Sequence, residues 1–506
     1  MKSVRAPLFR RARGNLSPDR SRAPGLAALA RWLVVMAGAA ILVVGLAGCA
    51  GGGATTTSQL VPPPGSTTSL GPATAPTSTV PAAALPPTVP TGAGDWPTYH
   101  HDAARSGVAS DQEALGVVSR GWVSAALDGA LYAQPLVVGG RVLVATEANS
   151  VYALDSASGA VAWHASLGEP VPLSELPCGN IDPSGITGTP VVDAAAGMLY
   201  VVANLRSGHH HELFALAVTT GVVRWHRPID PPGLSPRVEQ ERGALMLAGG
   251  EVYVPFGGLY GDCGQYRGAV VSVAADGSGS PSSFVVPTSR MGGIWNPAGP
   301  VVDANGDLWV TTGNSASQSA FDYGNAVIRL SPQLTVQDYF APADWATLNA
   351  GDADLGSLGP VLMPGNRVLA VGKTGTAYLL DRANLGHVGG ALTSTPVGAG
   401  AFGAAATSGD MAFVPTTDAL VGVRVTGDKM QVAWRLPGGA GPPIVAAGAV
   451  WSLGYDGRLS GVDPANGAVR FRAQLTVPPS RFVAPAAAGG RLFVADGVKV
   501  AAFNLR

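Results

Sequence analysis

Charged residues, cysteines and long apolar runs are all scarce in this 506-residue chain. Only 13% of the residues are Asp, Glu, Lys or Arg, and there are three cysteines. Glycine (69 residues) and proline (41 residues) are abundant, and 46% of the residues are hydrophobic, which is enough for a large core. Few charges, many glycines and short apolar runs are typical of an all-β protein with many tight turns.

The chain also lacks the basic surface that is typical of a nucleic-acid-binding protein. Its formal net charge is −1, but residues 1–48 hold eight of the 32 Lys and Arg residues and one of the 33 acidic residues. The remaining 24 basic and 32 acidic side chains give a net charge of −8. We therefore expect no nucleic-acid partner.

Several motifs of catalytic and metal-binding proteins are missing from the sequence. There is no Gly-x-Ser-x-Gly, no phosphate-binding Gly-rich loop ending in Lys-Ser/Thr, and no His-Glu-x-x-His. There is also no Cys-x-x-Cys-His, so a covalently attached c-type haem is not expected. The run His209-His210-His211-Glu212 could hold a metal ion. Three consecutive imidazoles cannot all face one ion, however, and a solvated polar loop is the favoured interpretation.

The first 48 residues are predicted to be a lipoprotein signal peptide. A leader with eight basic residues precedes an apolar run, Leu33 to Leu46, that is too short for a typical spanning helix. The run ends in Leu46-Ala47-Gly48-Cys49, which resembles the lipobox of bacterial lipoproteins. The resemblance implies that Cys49 is lipidated and becomes the mature N-terminus. The alternative is an uncleaved membrane anchor, and both place the rest of the chain outside the cytoplasm, anchored to the cell membrane.

Residues 49–94 are predicted to be a disordered linker that follows the lipidated cysteine. After Cys49 the segment is almost entirely Gly, Ala, Ser, Thr and Pro, with no charged or aromatic residue. Such a composition cannot bury enough apolar surface to offset the entropy lost on folding. Its prolines favour extended conformations, so the linker is expected to hold the folded part away from the bilayer.

From Trp96 onward the sequence repeats a unit with an average spacing of 50 residues, the period of a propeller blade. Each unit reads as four strands, which we label A to D from the centre outwards. Tight A–B and C–D turns alternate with longer connections. The clearest C–D hairpin runs from Val151 to Trp163, with Asp155 and Gly159 as turn residues. Trp163 and Trp225 are predicted to wedge between blades. The eight predicted B strands are Arg141–Ala145, Met198–Ala203, Glu251–Pro255, Asp307–Thr311, Arg367–Val371, Met411–Pro415, Ala449–Leu453 and Arg491–Ala495.

The eighth unit ends at Val498–Leu505 and has no D strand of its own. An orphan strand, Gly121–Leu127, precedes the first unit and carries Trp122 where a D strand has its tryptophan. We therefore predict that residues 95–506 form one eight-bladed propeller of four-stranded antiparallel blades, closed by the N-terminal strand joining the last blade. Such closure removes the open sheet edges.

The repeats resemble those of the pyrroloquinoline-quinone (PQQ) repeat superfamily. The resemblance rests on the segment from Asp95 to Tyr99, the segment from Ala104 to Gly107, and the Tyr-Ala-Leu-Asp…Gly…Trp units, and it spans residues 95–506. It implies an eight-bladed propeller. The superfamily contains PQQ-dependent alcohol dehydrogenases and also non-catalytic lipoproteins that scaffold outer-membrane protein assembly, so the resemblance is specific for fold and not for function.

The longer connections are all predicted to emerge on one face of the ring. Because neighbouring antiparallel strands alternate in direction, D–A and B–C connections share one face, and A–B and C–D turns share the other. A protein or small-molecule ligand is expected on the face with the D–A and B–C connections. The long insertions are Glu169–Ile186, Asn204–Glu212, Gly257–Gly268, Gly313–Asn325 and Asp344–Leu358.

Four residues on that face match the dehydrogenase pattern in order. The resemblance implies that Trp295 forms the floor under the quinone ring and that Asn314 binds calcium. It implies that Asp322 lies near the place of the catalytic base, and that Lys373 polarises a quinone oxygen. The segment Asp352-Ala353-Asp354 also fits the family. The alternatives are a core aromatic for Trp295, turn residues for Asn314 and Asp322, and a surface lysine for Lys373.

Two departures from the dehydrogenase pattern count against catalysis. The adjacent cysteine pair that covers the quinone is absent, and the acidic calcium ligand has only a loose counterpart in Asp262. The sequence therefore favours a cell-surface binding or scaffold module. A PQQ- and calcium-dependent dehydrogenase that oxidises an alcohol or a sugar is the alternative.

Cys178 and Cys263 are predicted to form a disulfide. Lipidation would consume Cys49, and export would place the remaining two thiols where disulfides persist. The repeat assignment puts Cys178 in the D–A connection that leads into blade two, and Cys263 in the B–C connection of blade three. Both connections emerge on the same face, so a bridge is geometrically possible.

Overall fold

The computed structural model describes residue 92 and residues 94–109, 114–478 and 482–506. The predicted signal peptide (residues 1–48), the lipidation site Cys49 and nearly all of the predicted linker (residues 49–94) lie outside the described residues.

The described residues form an all-β ring of eight antiparallel blades, as predicted. The A to D strands of blades one to four are Leu136–Val138, Arg141–Ala145, Ser150–Asp155 and Val161–Ser166; Val191–Asp193, Met198–Leu205, His210–Ala217 and Val223–Pro228; Met246–Ala248, Glu251–Gly258, Ala269–Ala274 and Ser282–Val285; and Val301–Val302, Leu308–Thr311, Val327–Leu330 and Val336–Ala341. Those of blades five to eight are Val361–Met363, Arg367–Val371, Thr376–Asp381 and Thr393–Pro396; Ala406–Ser408, Met411–Pro415, Ala419–Thr426 and Lys429–Pro437; Ile444–Ala446, Ala449–Leu453, Arg458–Val462 and Val469–Gln474; and Ala486–Ala488, Arg491–Asp496, Lys499–Asn504 and Ser119–Val123.

Burial follows the position of each strand in its blade. The A strand Leu136–Val138 and most of the B strand Arg141–Ala145 are buried, so they read as continuous apolar runs. The D strand Val161–Ser166 alternates between exposed and half-buried residues, because one of its faces meets water. This gradient explains why the B strands were the most easily recognised element of each repeat.

A few elements lie outside the four-strand pattern. The two-residue strands Glu239–Gln240 and His387–Val388 pair with blade three and with the outer strand of blade four. Within the described ranges the helices are one α-helix, Trp345–Ala350, and two 3-10 turns, Leu173–Glu175 and Leu355–Ser357. None of the helices in the described part of the chain has the length and apolar character needed to cross a bilayer.

The ring closes through the N-terminal strand, which confirms the predicted closure. Ser119–Val123 pairs antiparallel with Lys499–Asn504, the C strand of blade eight. Pairing continues past a bulge, where the Ser124 amide donates to the Val500 carbonyl (2.9 Å) and the Leu127 amide donates to the Val498 carbonyl (2.8 Å). The strand begins two residues before the predicted Gly121, and blade eight joins the two ends of the propeller chain.

Tryptophans on D strands wedge against the C–D turn of the next blade, as predicted for Trp163. The Trp163 indole N–H donates to the Val218 carbonyl of blade two (2.9 Å), and the ring lies over Gly221. A Cβ atom at Gly221 would lie 2.5 Å from the Trp163 ring. These turns therefore need glycine both for its positive φ and for the close approach of the neighbouring indole. Trp122 on Gly159, Trp225 on Gly277 and Trp434 on Gly467 repeat the arrangement.

Residues 95–109, which we call the latch segment, run along the inner strands of the ring. Tyr99 is fully buried against small side chains from four blades, Ala244, Ala298, Ala404 and Ala484. Main-chain hydrogen bonds tie the segment to the A strands of blades one, two, four, six and seven, through Trp96 to Val137, Pro97 to Val192, Ala103 to Val302, Ser106 to Thr407 and Gly107 to Val445. The latch segment therefore links the blades across the axis of the ring.

A disulfide joins Cys178 to Cys263, with a Cα–Cα distance of 6.2 Å, and confirms the predicted pairing. It ties the connection between blades one and two to the B–C connection of blade three, across a separation of 85 residues. Both connections lie on the elaborated face.

Loss of this disulfide is expected to lower the free energy of unfolding by up to about 4 kcal/mol, because the bridge restricts a long loop of the unfolded chain. The urea midpoint of the oxidised protein is compared with that of the dithiothreitol-reduced protein and of the double variant Cys178→Ser/Cys263→Ser. Equal midpoints for the oxidised and reduced protein would contradict the expectation. Agreement between the reduced protein and the double variant controls for the serine substitutions.

Only His209 of the histidine run lies in the turn between the B and C strands of blade two, so the loop interpretation is correct for that residue alone. His210 and His211 begin the C strand of blade two, and each imidazole faces a carboxylate. His210 Nε2 lies 3.1 Å from Glu212 Oε2, and His211 Nδ1 lies 2.8 Å from Asp230 Oδ1. In the described residues, no group of three or more His, Cys, Asp or Glu side chains is arranged to hold a metal ion.

Candidate functional site

A cavity of about 590 Å³ opens on the elaborated face of the ring. Apart from Gly258, which ends the B strand of blade three, its lining residues lie in D–A or B–C connections, from the one that leaves blade one to the one that leads into blade eight. Its volume is in the range of small-molecule sites, which is roughly 300–1,000 Å³. Of the sequence-predicted site residues, Trp295, Asn314, Lys373 and Asp262 line this cavity together.

Trp295 lies in the connection that leads into blade four and presents a partly exposed side chain to the cavity. Glycines surround it, because a Cβ atom at Gly313 would lie 2.9 Å from its Nε1 atom and one at Gly257 would lie 2.9 Å from its Cβ atom. Phe402 and Phe482 pack at ring-centroid distances of 6.5 and 6.2 Å. Trp295 therefore gives the cavity a flat aromatic surface that is flanked by the rings of Phe402 and Phe482.

Asn314, Asp354 and Lys373 form one connected group beside Trp295. The Asn314 amide donates to Asp354 Oδ1 (2.8 Å), and Lys373 Nζ lies 3.0 Å from Asp354 Oδ2 and 2.7 Å from Asp352 Oδ1. The ammonium is also 5.8 Å from the centroid of the Trp295 ring. Lys373 is thus positioned over the indole by two carboxylates from the connection that leads into blade five.

The pKa values in this group reflect burial and ion pairing. Burial raises the pKa of Asp354, which is 3% exposed, and Lys373 only partly opposes this shift. For Lys373, burial acts to lower the pKa, but Asp354 and Asp352 outweigh it and the net shift is upward. Lys373 therefore stays charged near neutral pH, and the carboxylates of Asp352 and Asp354 balance its positive charge.

Asp262 also lines the cavity and precedes Cys263 of the disulfide in the chain. Its Oδ1 atom accepts a short hydrogen bond from the Tyr266 hydroxyl. Burial and the neighbouring Asp262 raise the pKa of Tyr266, so the phenol remains a donor. The Cys178–Cys263 bridge holds this part of the lining, since the neighbouring Asn180 and Asp262 both line the cavity.

Asp322 lies in the same B–C connection as Asn314, but it is not a lining residue of the cavity. Its Oδ1 atom accepts hydrogen bonds from Ser315 Oγ (2.6 Å) and from the Gly324 amide (3.3 Å). These bonds are those of a residue that shapes its own turn. The carboxylate that the structure brings to Trp295, Asn314 and Lys373 is Asp354, which the sequence interpretation noted without giving it a role.

Arg242 is the cavity residue that sequence reasoning missed. It lies four residues before the A strand of blade three, and its guanidinium carbon is 5.9 Å from the Trp295 centroid and 5.1 Å from the Phe482 centroid. Its position relative to the A strand is the one sequence feature that could have identified Arg242. Tyr132, Phe402 and Phe482 also lie four residues before an A strand, and all of them line the cavity or a small void that adjoins it.

Two buried acids, Glu147 and Glu241, lie behind Arg242. Glu147 is 2% exposed and accepts hydrogen bonds from the Gly185 amide (2.7 Å) and from Thr187 Oγ1 (2.9 Å). Burial raises the pKa of Glu147 to about 7. Burial also raises the pKa of Glu241, and the neighbouring Glu147 adds to the shift. Glu147 is therefore partly protonated near neutral pH.

The buried Glu147 is expected to make the protein less stable as the pH rises from about 5 to about 8. Its pKa is higher in the folded state (about 7) than the ordinary glutamate value of 4.5. Its protonated form therefore stabilises the fold below pH 4.5, and this contribution disappears as the pH rises through about 7. A shift of this size corresponds to roughly 3 kcal/mol.

The measurement is the urea midpoint of the wild type and of Glu147→Gln at pH 5, 6, 7 and 8. The urea midpoint of Glu147→Gln is expected to fall much less with rising pH than that of the wild type, because glutamine does not titrate. Glu169→Gln, an exposed substitution, is the matched control and is expected to keep the wild-type profile. Parallel pH profiles for the wild type and Glu147→Gln would show that Glu147 does not cause the decline.

The fold and this cavity define a class of protein: a closed eight-bladed propeller with a small-molecule-sized cavity at one end of its axis. Residues 119–277 match the family model described as outer membrane protein assembly factor BamB. No curated protein matches the chain significantly.

Three solved structures are similar to the chain. They are the quinohemoprotein alcohol dehydrogenase from Comamonas testosteroni (16% identity, TM-score 0.63, covering 81% of this chain and 80% of that one), a europium-containing methanol dehydrogenase (14%, 0.63, 82% and 98%), and BamB from Moraxella catarrhalis (14%, 0.51, 77% and 98%). At these identities the similarity establishes the fold. The fold of this protein is therefore that of a PQQ-like β-propeller.

Proposed function

We propose that this protein is an extracytoplasmic binding propeller, tethered to the cell membrane through Cys49, that holds a small planar molecule against Trp295. The observation that carries the proposal is the partly exposed Trp295 indole in the wall of a cavity of about 590 Å³, with Phe402 and Phe482 beside it. A planar ligand stacked on an indole gains both apolar burial and ring contact.

The tether is supported by the sequence alone, through the basic leader, the short apolar run and the cysteine at position 49. Its test is metabolic labelling with a radioactive fatty acid in a bacterium that processes lipoproteins. The full chain is expected to incorporate label and to sediment with membranes, and Cys49→Ser is expected to do neither. Label in the Cys49→Ser variant would contradict lipidation at Cys49.

A PQQ-dependent dehydrogenase is the second candidate, and Asp354 is the observation that favours it. The cavity brings this buried carboxylate, whose pKa is raised by burial, to the same place as Trp295, Asn314 and Lys373. The residues fit PQQ itself, because its ring system could stack on Trp295 and its negative charge could be balanced by Lys373 and Arg242. Bound PQQ would supply two-electron oxidising capacity, and Asp354 would accept a substrate hydroxyl proton.

The residues fit calcium poorly. Asp354 already forms an ion pair with Lys373 and accepts a hydrogen bond from the Asn314 backbone amide. Asp262 accepts a hydrogen bond from the Tyr266 hydroxyl. Asn314 is the remaining calcium ligand suggested by the sequence, and one amide oxygen falls far short of the six to eight oxygens that calcium takes. We therefore propose no calcium-dependent step.

Titration of the purified propeller with PQQ tests both candidates. Binding is expected to change PQQ absorbance and to quench tryptophan fluorescence, and Trp295→Ala is expected to weaken it about 10-fold or more, because the stacking surface is lost. Trp345→Ala, on the short helix away from the cavity lining, is the matched control. Unchanged affinity in Trp295→Ala would contradict the proposed ligand position.

The same samples are then assayed for alcohol oxidation with an artificial electron acceptor. PQQ binding without turnover supports the binding propeller. Turnover that disappears in Asp354→Asn, while PQQ affinity remains, supports the dehydrogenase. If no planar molecule binds, the binding proposal fails, and a protein scaffold without a small ligand takes its place.

A further inference from the structure

The outer strand of blade one is an open sheet edge that lacks the usual protection against pairing with another strand. This strand, Val161–Ser166, is the last of its sheet, and within the described residues it pairs only with the C strand Ser150–Asp155. It contains no Lys, Arg, Asp, Glu or Pro, and its first residue, Val161, is 49% exposed. Such an edge presents a row of unpaired N–H and C=O groups that another strand can bind.

The outer strands of the other seven blades each carry a feature that hinders pairing. The strand of blade four is partly covered by His387–Val388. The strands of blades three and five are only four residues long, and a proline precedes the first and ends the second. Those of blades two, six, seven and eight contain arginine, lysine or proline, and they are Val223–Pro228, Lys429–Pro437, Val469–Gln474 and Ser119–Val123. Blade one is therefore the exception among the described blades.

The side chains at this edge favour an uncharged strand as its partner. Trp163 directs its ring onto Gly221 of blade two, and the residue after that glycine, Val222, is 53% exposed. His164 already has a polar neighbour, because its Nε2 atom lies 3.0 Å from Ser150 Oγ. The edge thus offers apolar contacts and main-chain hydrogen bonds, and it has no acidic or basic side chain of its own to pair with a charged partner.

An uncharged segment of suitable length lies in the part of the same chain that precedes the described residues. Residues 54–61 read Ala-Thr-Thr-Thr-Ser-Gln-Leu-Val, which is the longest run without glycine or proline between residues 50 and 94. Threonine and valine are favoured in strands. The composition of residues 50–94 argues against a core of their own, but a strand that joins an existing sheet gains its main-chain hydrogen bonds from that sheet.

The described part of the chain begins on the same blade. The Gly92 amide donates to Asp95 Oδ2 (3.0 Å), and Asp95 Oδ1 accepts from the Gly139 amide in the A–B turn of blade one (3.3 Å). The A and D strands of a blade are three strand spacings apart, about 15 Å. Residues 62–91 separate the segment from Gly92, and an unfolded chain of about 30 residues spans about 30 Å on average. The segment therefore meets this edge at an effective concentration on the order of millimolar, which favours it over a free partner.

We infer that residues 54–61 add to Val161–Ser166 as a fifth strand of blade one. Because Cys49 lies five residues before Ala54, this pairing places the proposed lipidation site beside blade one. The edge of blade one then faces the membrane, and the remaining linker no longer sets the distance between the ring and the bilayer. The strand addition goes beyond the proposed function, since it requires neither a ligand in the cavity nor a lipid on Cys49.

The test is hydrogen–deuterium exchange of the full chain, purified in detergent and followed by mass spectrometry. Amides of residues 54–61 are expected to exchange about 10-fold more slowly than in a synthetic peptide of residues 50–65, because a weak contact at millimolar effective concentration is mostly formed. In Thr56→Pro/Thr57→Pro, which removes donors from the added strand, the amides of residues 161–166 are expected to exchange about 10-fold faster than in the wild type.

Matched variants separate this pairing from other effects. Thr77→Pro/Ser78→Pro places the same prolines elsewhere in the linker and is expected to leave the exchange of residues 161–166 unchanged. Val161→Lys adds a charge to the edge and is expected to speed the exchange of residues 54–61. The outer strand of blade seven, Val469–Gln474, is the internal control and is expected to exchange alike in every variant. Thermal unfolding of each variant confirms that the ring is folded.

Each other outcome overturns the inference. Exchange of residues 54–61 at the rate of the synthetic peptide shows that they form no strand. Slow exchange of residues 161–166 that persists in Thr56→Pro/Thr57→Pro shows that something else covers the edge, and slow exchange that increases with protein concentration identifies a second copy as the occupant. None of these results affects the proposed function, which is tested by the PQQ titration.

Discussion

A chain that begins at residue 128 is expected to lose the cooperative unfolding of the ring. It lacks the strand Ser119–Val123, so the C strand of blade eight becomes an open edge next to blade one. It also lacks the latch segment, whose main-chain hydrogen bonds reach the A strands of five blades. These losses together exceed what a net stability of roughly 5–15 kcal/mol can absorb.

Two longer chains separate the parts of this effect. A chain that begins at residue 92 retains both elements and is expected to unfold in one sharp transition in urea, followed by circular dichroism. A chain that begins at residue 114 retains the closing strand without the latch segment and is expected to unfold at a lower urea concentration. A synthetic peptide of residues 92–127, added during refolding of the shortest chain, is expected to restore the transition. Equal midpoints for the chains that begin at residues 92 and 128 would contradict ring closure as the source of stability.

Replacement of Arg105 by leucine is expected to destabilise the protein by about 3–5 kcal/mol, although Arg105 is remote from the cavity lining. Its guanidinium, 3% exposed, donates to the Tyr99 carbonyl (2.8 Å), to the Leu245 carbonyl (2.8 Å) and to Thr98. It also lies 5.9 Å from the centroid of the Tyr99 ring. Leucine would fill the space but would leave these buried acceptors without donors.

The control is Arg424→Leu, because Arg424 forms an exposed ion pair with Asp410 and such pairs contribute about 0–1 kcal/mol. Urea midpoints of the two variants are compared with the wild type at neutral pH. Burial lowers the pKa of Arg105 to about 9, so the side chain is still charged under these conditions. If Arg105→Leu lowers the free energy of unfolding no more than Arg424→Leu does, the Arg105 side chain does not hold the latch segment in place.

The repeats made the fold predictable because each blade carries its own local signals. The B strands are short apolar runs after a glycine turn, and Arg367–Val371, Met411–Pro415 and Ala449–Leu453 have the predicted bounds. The disulfide could also be predicted, since only two thiols remained and their connections share a face. The beginning of the closing strand, at Ser119 and not at Gly121, is set by pairing with blade eight, which no local pattern encodes.

The cavity was predictable only in part, because its residues come from nine connections that are far apart in the sequence. Trp295, Asn314 and Lys373 could be found through the family pattern. The family pattern placed Asp322 near the catalytic base and also fitted the segment that ends in Asp354, and the structure brings only Asp354 to the cavity. Arg242 has no motif around it, and its lack of a carboxylate partner becomes visible only when its neighbours in space are known.

The sequence by itself determined the class of fold, the number of blades, the mode of closure and the cysteine pairing, because these follow from local turns, strand periodicity and the order of repeats. Only the tertiary structure decided which carboxylate meets Lys373 and which cation is left without one. Which carboxylate pairs with which cation depends on the distances between connections of different blades. The hydrogen bonds and the burial that result from this packing set the charge of each group. In this protein the local patterns specify the ring, and contacts between blades specify the chemistry of its cavity.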